Sequence, residues 1–286
     1  MTGVFGAGVG TSFWEKGLTP DIEAIYGASA GIMTGAYLVS GQARLGSSIY
    51  LEDLGSNFIS IKNFLIGTWQ RFQNRFIKTV PENKIRDAMN IDYLMDIFKN
   101  KKPLDTNRII SQNIPTYAKL LNLEDYSIDY CDIRRHDIFD ILKAGIGPIP
   151  YIHHILHVGR KKYIDAALAE PIGIDTLMQR HPDSKIIIVL NWSIKETLRT
   201  KAKTFLEAKV SEWMLNDHRI FKLYSNFRNN LERDLKLIEE SPNITLIKPP
   251  KKFSVNPSTT NPQKILDLYN AGINEGTRIM NDIIKA

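Results

Sequence analysis

Residues 22–41 read Ile22-Glu23-Ala24-Ile25-Tyr26-Gly27-Ala28-Ser29-Ala30-Gly31-Ile32-Met33-Thr34-Gly35-Ala36-Tyr37-Leu38-Val39-Ser40-Gly41, and their pattern decides the fold. Ile22 to Tyr26 has the length and apolar content of a short buried strand. From Ala30 onward, Ile32, Met33, Ala36, Tyr37 and Val39 recur at helical spacing, and the pattern stops at Gly41. Between strand and helix stands G-x-S-x-G. A chain turning this sharply leaves no room for side chains at the flanking positions, so Gly27 and Gly31 would leave the Ser29 hydroxyl exposed. The helix that follows aims its first N–H groups at the place where an oxyanion would form. The structural alternative is a serine that caps the helix among small neighbours.

The rest of the chain extends the alternation. Gly6 to Lys16 is small and apolar and ends at Gly17 before Thr19-Pro20, which predicts a helix and a turn. Tyr126–Asp132, Lys161–Asp165 and Lys185–Asn191 read as strands, and Asp137–Ala144 as a short helix closed by Gly145. Long helical stretches cover roughly Thr197–Glu240 and Pro262–Ile284. Asn57–Val80 mixes Phe58, Phe64, Trp69, Phe72 and Phe76 with Lys62, Arg71, Arg75 and Lys78. Such a helix suits a lipid interface, but a core-facing helix gives the same pattern and is the reading favoured here. Strands alternating with helices predict an α/β layered sheet. No linker-like tract divides the chain, so 1–286 is expected to form one domain with a helical portion from about residue 197.

With 286 residues, 43% hydrophobic and 24% charged, the chain has a globular composition. Lys and Arg number 37 against 31 acidic residues, and the resulting +6 is dispersed rather than gathered into blocks. That argues against a nucleic-acid partner and allows mild attraction to a membrane surface. Cys131 is the only cysteine, so an intrachain disulfide and a multi-cysteine metal site are excluded. No apolar run reaches the ~20 residues of a membrane span, so a cytoplasmic protein, in some settings peripheral at a membrane, is expected.

Ser29 also needs a base. His153, His154 and His157 cluster in what reads as a surface loop without metal-site spacing, and His181 and His218 lie in charged, helical stretches. Histidine therefore looks dispensable.

Gly27-Ala28-Ser29-Ala30-Gly31-Ile32 and Tyr163-Ile164-Asp165-Ala166-Ala167-Leu168-Ala169-Glu170-Pro171-Ile172 resemble the two signatures of patatin-like phospholipases. The resemblance extends through Ile91-Asp92-Tyr93-Leu94, the region Ala144 to Pro150, and His218 to Tyr224, a pattern of a bacterial subgroup. It implies a three-layer α/β/α fold with a mostly parallel central sheet, acting on acyl esters of lipids without metal or organic cofactor. It further implies Ser29 as nucleophile, Asp165 as its base, and oxyanion donors from Ala30 and the Gly3 region.

Two departures from the family pattern stand out. Ala166 follows Asp165 where the family has glycine, which would cost about 1 kcal/mol if that position needs a positive φ. The family's opening strand and glycine-rich oxyanion loop are expected to be cut short, with Gly3 as the loop's final glycine. A catalytically weak relative that binds lipid or a protein partner is accordingly the alternative reading. Head group, acyl length and oligomeric state are left open by the sequence.

Overall fold

The computed structural model describes residues 3–285 apart from 56, 79, 82–83, 135–137, 194–200, 251–252 and 254–258, with the backbone alone for 201–203 and 283–285. The chain opens with helix α1 (Val4–Glu15), which ends at Gly17 in a left-handed conformation. Its glycines serve packing. A Cβ on Gly8 would stand 2.3 Å from the Tyr269 carbonyl oxygen, and one on Gly272 2.2 Å from that of Phe5. Only glycine lets α1 lie this close to the last helix, α11 (Pro262–Lys285).

Strand β1 (Ile25–Gly27) leads into α2 (Ala30–Val39), as the opening stretch predicts. Four helices follow: α3 (Ala43–Ser48), α4 (Ile61–Phe76), α5 (Ile91–Asp96) and α6 (Thr106–Ser111). Strand β2 (Thr116–Asn122) then runs through the centre of the main sheet. It is followed by β3 (Ile128–Asp132), α7 (Ile138–Ile146), β4 (Leu156–Val158) and β5 (Lys161–Asp165). Asp137, where that helix was expected to begin, lies outside the described residues.

The main sheet is ordered β1-β2-β5-β4, with β3 also paired to β2. β1 runs parallel to β2, whereas β2–β3, β2–β5 and β4–β5 are antiparallel. The mostly parallel sheet implied by the resemblance is therefore a mixed one. Short connections from β2 to β3 and from β4 to β5 force antiparallel neighbours, since parallel ones need a long crossover.

The register fixes where the site forms. β3 covers one edge of β2 from Tyr117 to Leu121, so β1 and β5 must share the other edge end to end. There Gly27 sits opposite Ala118, and Asp165 opposite Leu120. The ends of two strands 138 positions apart in the chain thus converge.

Beyond β5 the chain forms α8 (Ile174–Arg180), β6 (Ile186–Val189), α9 (Lys201–Leu215), α10 (His218–Glu240) and β7 (Ile244–Ile247). The long helical run expected from Thr197 is two helices, broken where Asn216 adopts φ 52°. β6 and β7 pair in parallel as a separate two-stranded sheet over a small core of Ile174, Ile188, Leu190, Leu231 and Ile238. Between β6 and the outer edge of β1 lies a cavity of about 770 Å³, lined by Ile25 and Tyr26 on one side and Ile186, Ile187 and Val189 on the other. Among the described residues, neither facing strand edge has a strand partner across this slot.

Helix α4 departs from its core-facing reading, because Gly67 is its only buried residue. Its aromatic side is solvent-facing: Trp69 is 60% exposed and Phe76 72%.

Candidate active site

Ser29 stands between β1 and α2 with φ 53° and ψ −130°. An L-residue occupies this region at a cost of order 1–3 kcal/mol, so the surrounding bonds must hold it there. The Ser29 N–H donates to the Gly145 carbonyl (2.8 Å), and the Gly31 N–H to that of Ala28 (2.9 Å). The Ser29 hydroxyl makes no capping bond to α2. The capping reading of this serine is thereby removed, and the hydroxyl remains available for another role.

The two glycines flanking Ser29 differ. A Cβ on Gly27 would stand 2.5 Å from the Ile32 backbone nitrogen, so the turn forbids any side chain there. A Cβ on Gly31 would meet nothing within 4 Å. The expectation that both positions exclude side chains holds for Gly27 alone. Gly31 borders the open cavity instead.

Asp165, the last residue of β5, is 3% exposed. Its N–H donates to the Gly147 carbonyl (3.3 Å), and its Oδ1 accepts the Ala167 N–H (2.9 Å). The end of α7 therefore anchors both residues, through Gly145 to Ser29 and through Gly147 to Asp165. Burial raises the Asp165 pKa to about 6, opposed by the Ala167 N–H, by a hydrogen bond from the Ser29 side chain, and by the charge of Lys119. Ala166 is fully buried and opens a short 3-10 turn, and its φ is not positive. The cost attached to alanine at this position does not arise, because the turn needs no left-handed residue.

Gly3 packs directly on Ala30: a Cβ there would stand 2.4 Å from the Ala30 Cβ. The Ala30 N–H, at the first position of α2, has no carbonyl of its own helix to donate to. The Gly6 N–H, by contrast, is spent on Asn191 Oδ1 (2.8 Å).

Lys119 was not singled out from the sequence. It sits in β2 beside Leu120, buried, with Nζ donating to the carbonyls of Glu170 and Ile172 (2.9 Å each). Glu170 also accepts the Tyr130 hydroxyl (2.5 Å), and buried Asp234 accepts the Gly173 N–H (3.1 Å). These bonds tie down the segment after Asp165. A lysine inside the apolar run Thr116–Asn122 is the signal that could have exposed it.

The histidines fall apart as a group. His153 is buried rather than on the surface, with neither ring nitrogen bonded, and burial lowers its pKa to about 4. His154 pairs with Asp87 (2.8 Å), and His157 is exposed on β4. His181 bonds Tyr26 (3.0 Å). His218 pairs with Glu212 (2.5 Å). Cys131 is half-buried, with its thiol pKa raised first by burial and then by Asp129.

A strand ending at a glycine turn, a serine held in strained backbone and a buried carboxylate at the neighbouring strand end define a class of α/β protein built around one polar junction. Residues 1–178 match the patatin-like phospholipase family model, and the chain belongs to that family. Membership associates it with lipid hydrolysis at the level of the family. Among solved structures, VipD from Legionella pneumophila aligns at 12% identity with a TM-score of 0.46, over 98% of this chain and 65% of that one. No curated protein matches the chain. Among the described residues, no helix is long and apolar enough to cross a membrane.

Proposed function

We propose that the chain is a serine lipid acyl hydrolase of phospholipase A or esterase type, working with Ser29 and Asp165 alone. The observation that carries this reading is the buried Asp165 carboxyl, its pKa raised by burial to about 6 with the Ser29 side chain among the groups that oppose the rise, at a strand end beside a serine whose hydroxyl does not cap its helix. A base of this pKa is ionised near neutrality and still takes a proton readily. Asp165 accepts the Ser29 proton as Oγ attacks the ester carbonyl, and the alcohol leaves with a proton returned from Asp165. Water, deprotonated by the same carboxylate, then hydrolyses the acyl-enzyme. The Ala30 N–H, with a contribution from the Gly3 backbone beside it, stabilises the oxyanion in both steps. Lys119 acts as a positioning residue by fixing the loop after Asp165.

A second reading, a weak or silent lipid-binding or protein-binding member of the family, is favoured by one observation. The Gly6 N–H, in the first turn of α1, is already taken by Asn191, which removes one backbone donor from that turn. Loss of one oxyanion donor costs ~10²-fold in rate.

The test is labelling by a fluorophosphonate together with hydrolysis of short acyl esters. Both should occur in the native chain and vanish in Ser29→Ala. Labelling that survives in the variant places the nucleophile elsewhere, and labelling of Ser29 without ester turnover supports the second reading.

A further inference from the structure

Helix α4 carries Ile61, Leu65, Trp69, Phe72 and Phe76 at intervals of four, four, three and four residues. At ~100° per residue these positions fall within an arc of roughly 80°. All five are exposed, from 44% at Phe72 to 72% at Phe76, and Ile77 beyond the helix is 70% exposed. The opposite side of the helix faces the protein: Gly67 abuts the Arg86 carbonyl and the His153 ring, and Arg71 donates to the carbonyls of His153 and Met214. Trp69 and Phe72 stack at 5.7 Å, and Phe72 meets Phe76 edge-on at 5.2 Å. The stripe is thus an exposed apolar ridge with a continuous aromatic end, which meets the body where Phe72 lies 6.4 Å from the ring of Trp213 in α9.

Charge identifies its partner. Residues 61–78 contain Lys62, Arg71, Arg75 and Lys78 and no acidic residue. Lys62, Arg75 and Lys78 are exposed. An apolar ridge on a segment whose only charges are cationic suits a surface that is apolar inside and anionic at its boundary. A second copy of this chain, itself carrying +6, offers no such complement.

We propose that this face of α4 seats the protein on an anionic lipid bilayer, with the ridge in the acyl boundary and the lysines at the head groups. The assignment gives the proposed lipid hydrolase its route to substrate and rests on that reading only for its purpose. Binding is therefore measured separately from turnover.

The experiment is co-sedimentation of the Ser29→Ala chain with phosphatidylcholine vesicles with and without phosphatidylserine. Binding should require phosphatidylserine and weaken as salt is raised. The double variant Trp69→Ser, Phe76→Ser should lose at least roughly tenfold in partitioning. On the Ser29 background the same double variant should hydrolyse soluble short esters at the native rate, because its positions lie on the outer side of α4. Equal partitioning of native and double-variant chains would overturn the proposal, as would binding to neither vesicle type. A native dimer that the double variant dissociates, with vesicle binding unchanged, would overturn it in favour of a second copy. Vesicle binding without ester hydrolysis would leave this surface standing and sink the catalytic reading instead.

Discussion

The turn at Ser29 is a stretch of small residues and helix α4 an aromatic one, and the protein treats them in opposite ways. At Ser29 the backbone is held from several sides: by Gly145 through its own N–H, by β2 through β1, and by Ile32, whose nitrogen leaves no room beside Gly27. Around α4 the hold is one-sided, through Gly67, Arg71 and the capping Ser60, which accepts the Asn63 N–H at 3.2 Å. The first region stores strain and burial where the proposed chemistry would need fixed geometry. The second keeps apolar surface exposed where an external apolar phase can take it up. Constraint and exposure separate the proposed reacting centre from the proposed docking face.

The contrast predicts very different sensitivities. Gly27→Ala drives a methyl group against backbone that cannot yield without moving α2, and should destabilise the fold by about 1–3 kcal/mol in urea titrations. An unchanged midpoint would mean that the turn is less constrained than its contacts indicate. Acidification probes the seat of α4. His153 is buried with its pKa lowered, so the folded state resists the proton that the unfolded chain accepts. The contribution is intact above pH ~6.5 and is lost as pH falls toward about 4, with a slope of at most ~1.4 kcal/mol per unit. Asp165, with its raised pKa, acts in the opposite sense between about 3.8 and 6. A His153→Met variant isolates the histidine part: its stability should fall less steeply over this range, and parallel curves for the two chains would contradict the assignment. The smallest effect is expected at Gly31→Ala, where no atom lies near the added methyl and a helix position gains propensity. Stability should rise by about 0.5–1 kcal/mol, with any loss confined to activity.

Much of the Ser29 region was legible because its signals are local. Glycine spacing and the change from strand to helical periodicity place β1 and α2 within a few residues of where they lie, and Lys161–Asp165 coincides with β5. The central strand β2 escaped notice because Lys119 interrupts its apolar pattern, and only the tertiary structure supplies the carbonyls that make a buried lysine tolerable. The mixed sheet was hidden for a related reason, since pairing direction depends on which strands the loops bring together. The exposure of α4 could not be read from its periodicity, because one apolar stripe serves a core and an interface equally well. His153 was assigned to the surface from its neighbours His154 and His157, although burial is decided by α4 crossing over it.

The central claim is that Asp165 activates Ser29. Its most direct test is the rate of fluorophosphonate labelling at Ser29 as a function of pH, in the native chain and in Asp165→Asn. Because burial places the carboxyl near 6, the native rate should climb as pH rises through about 6 and level off above it. In Asp165→Asn labelling should be slow and should show no inflection in that range. A native profile flat between pH 5 and 8, or an inflection near 6 that persists in Asp165→Asn, would contradict the account.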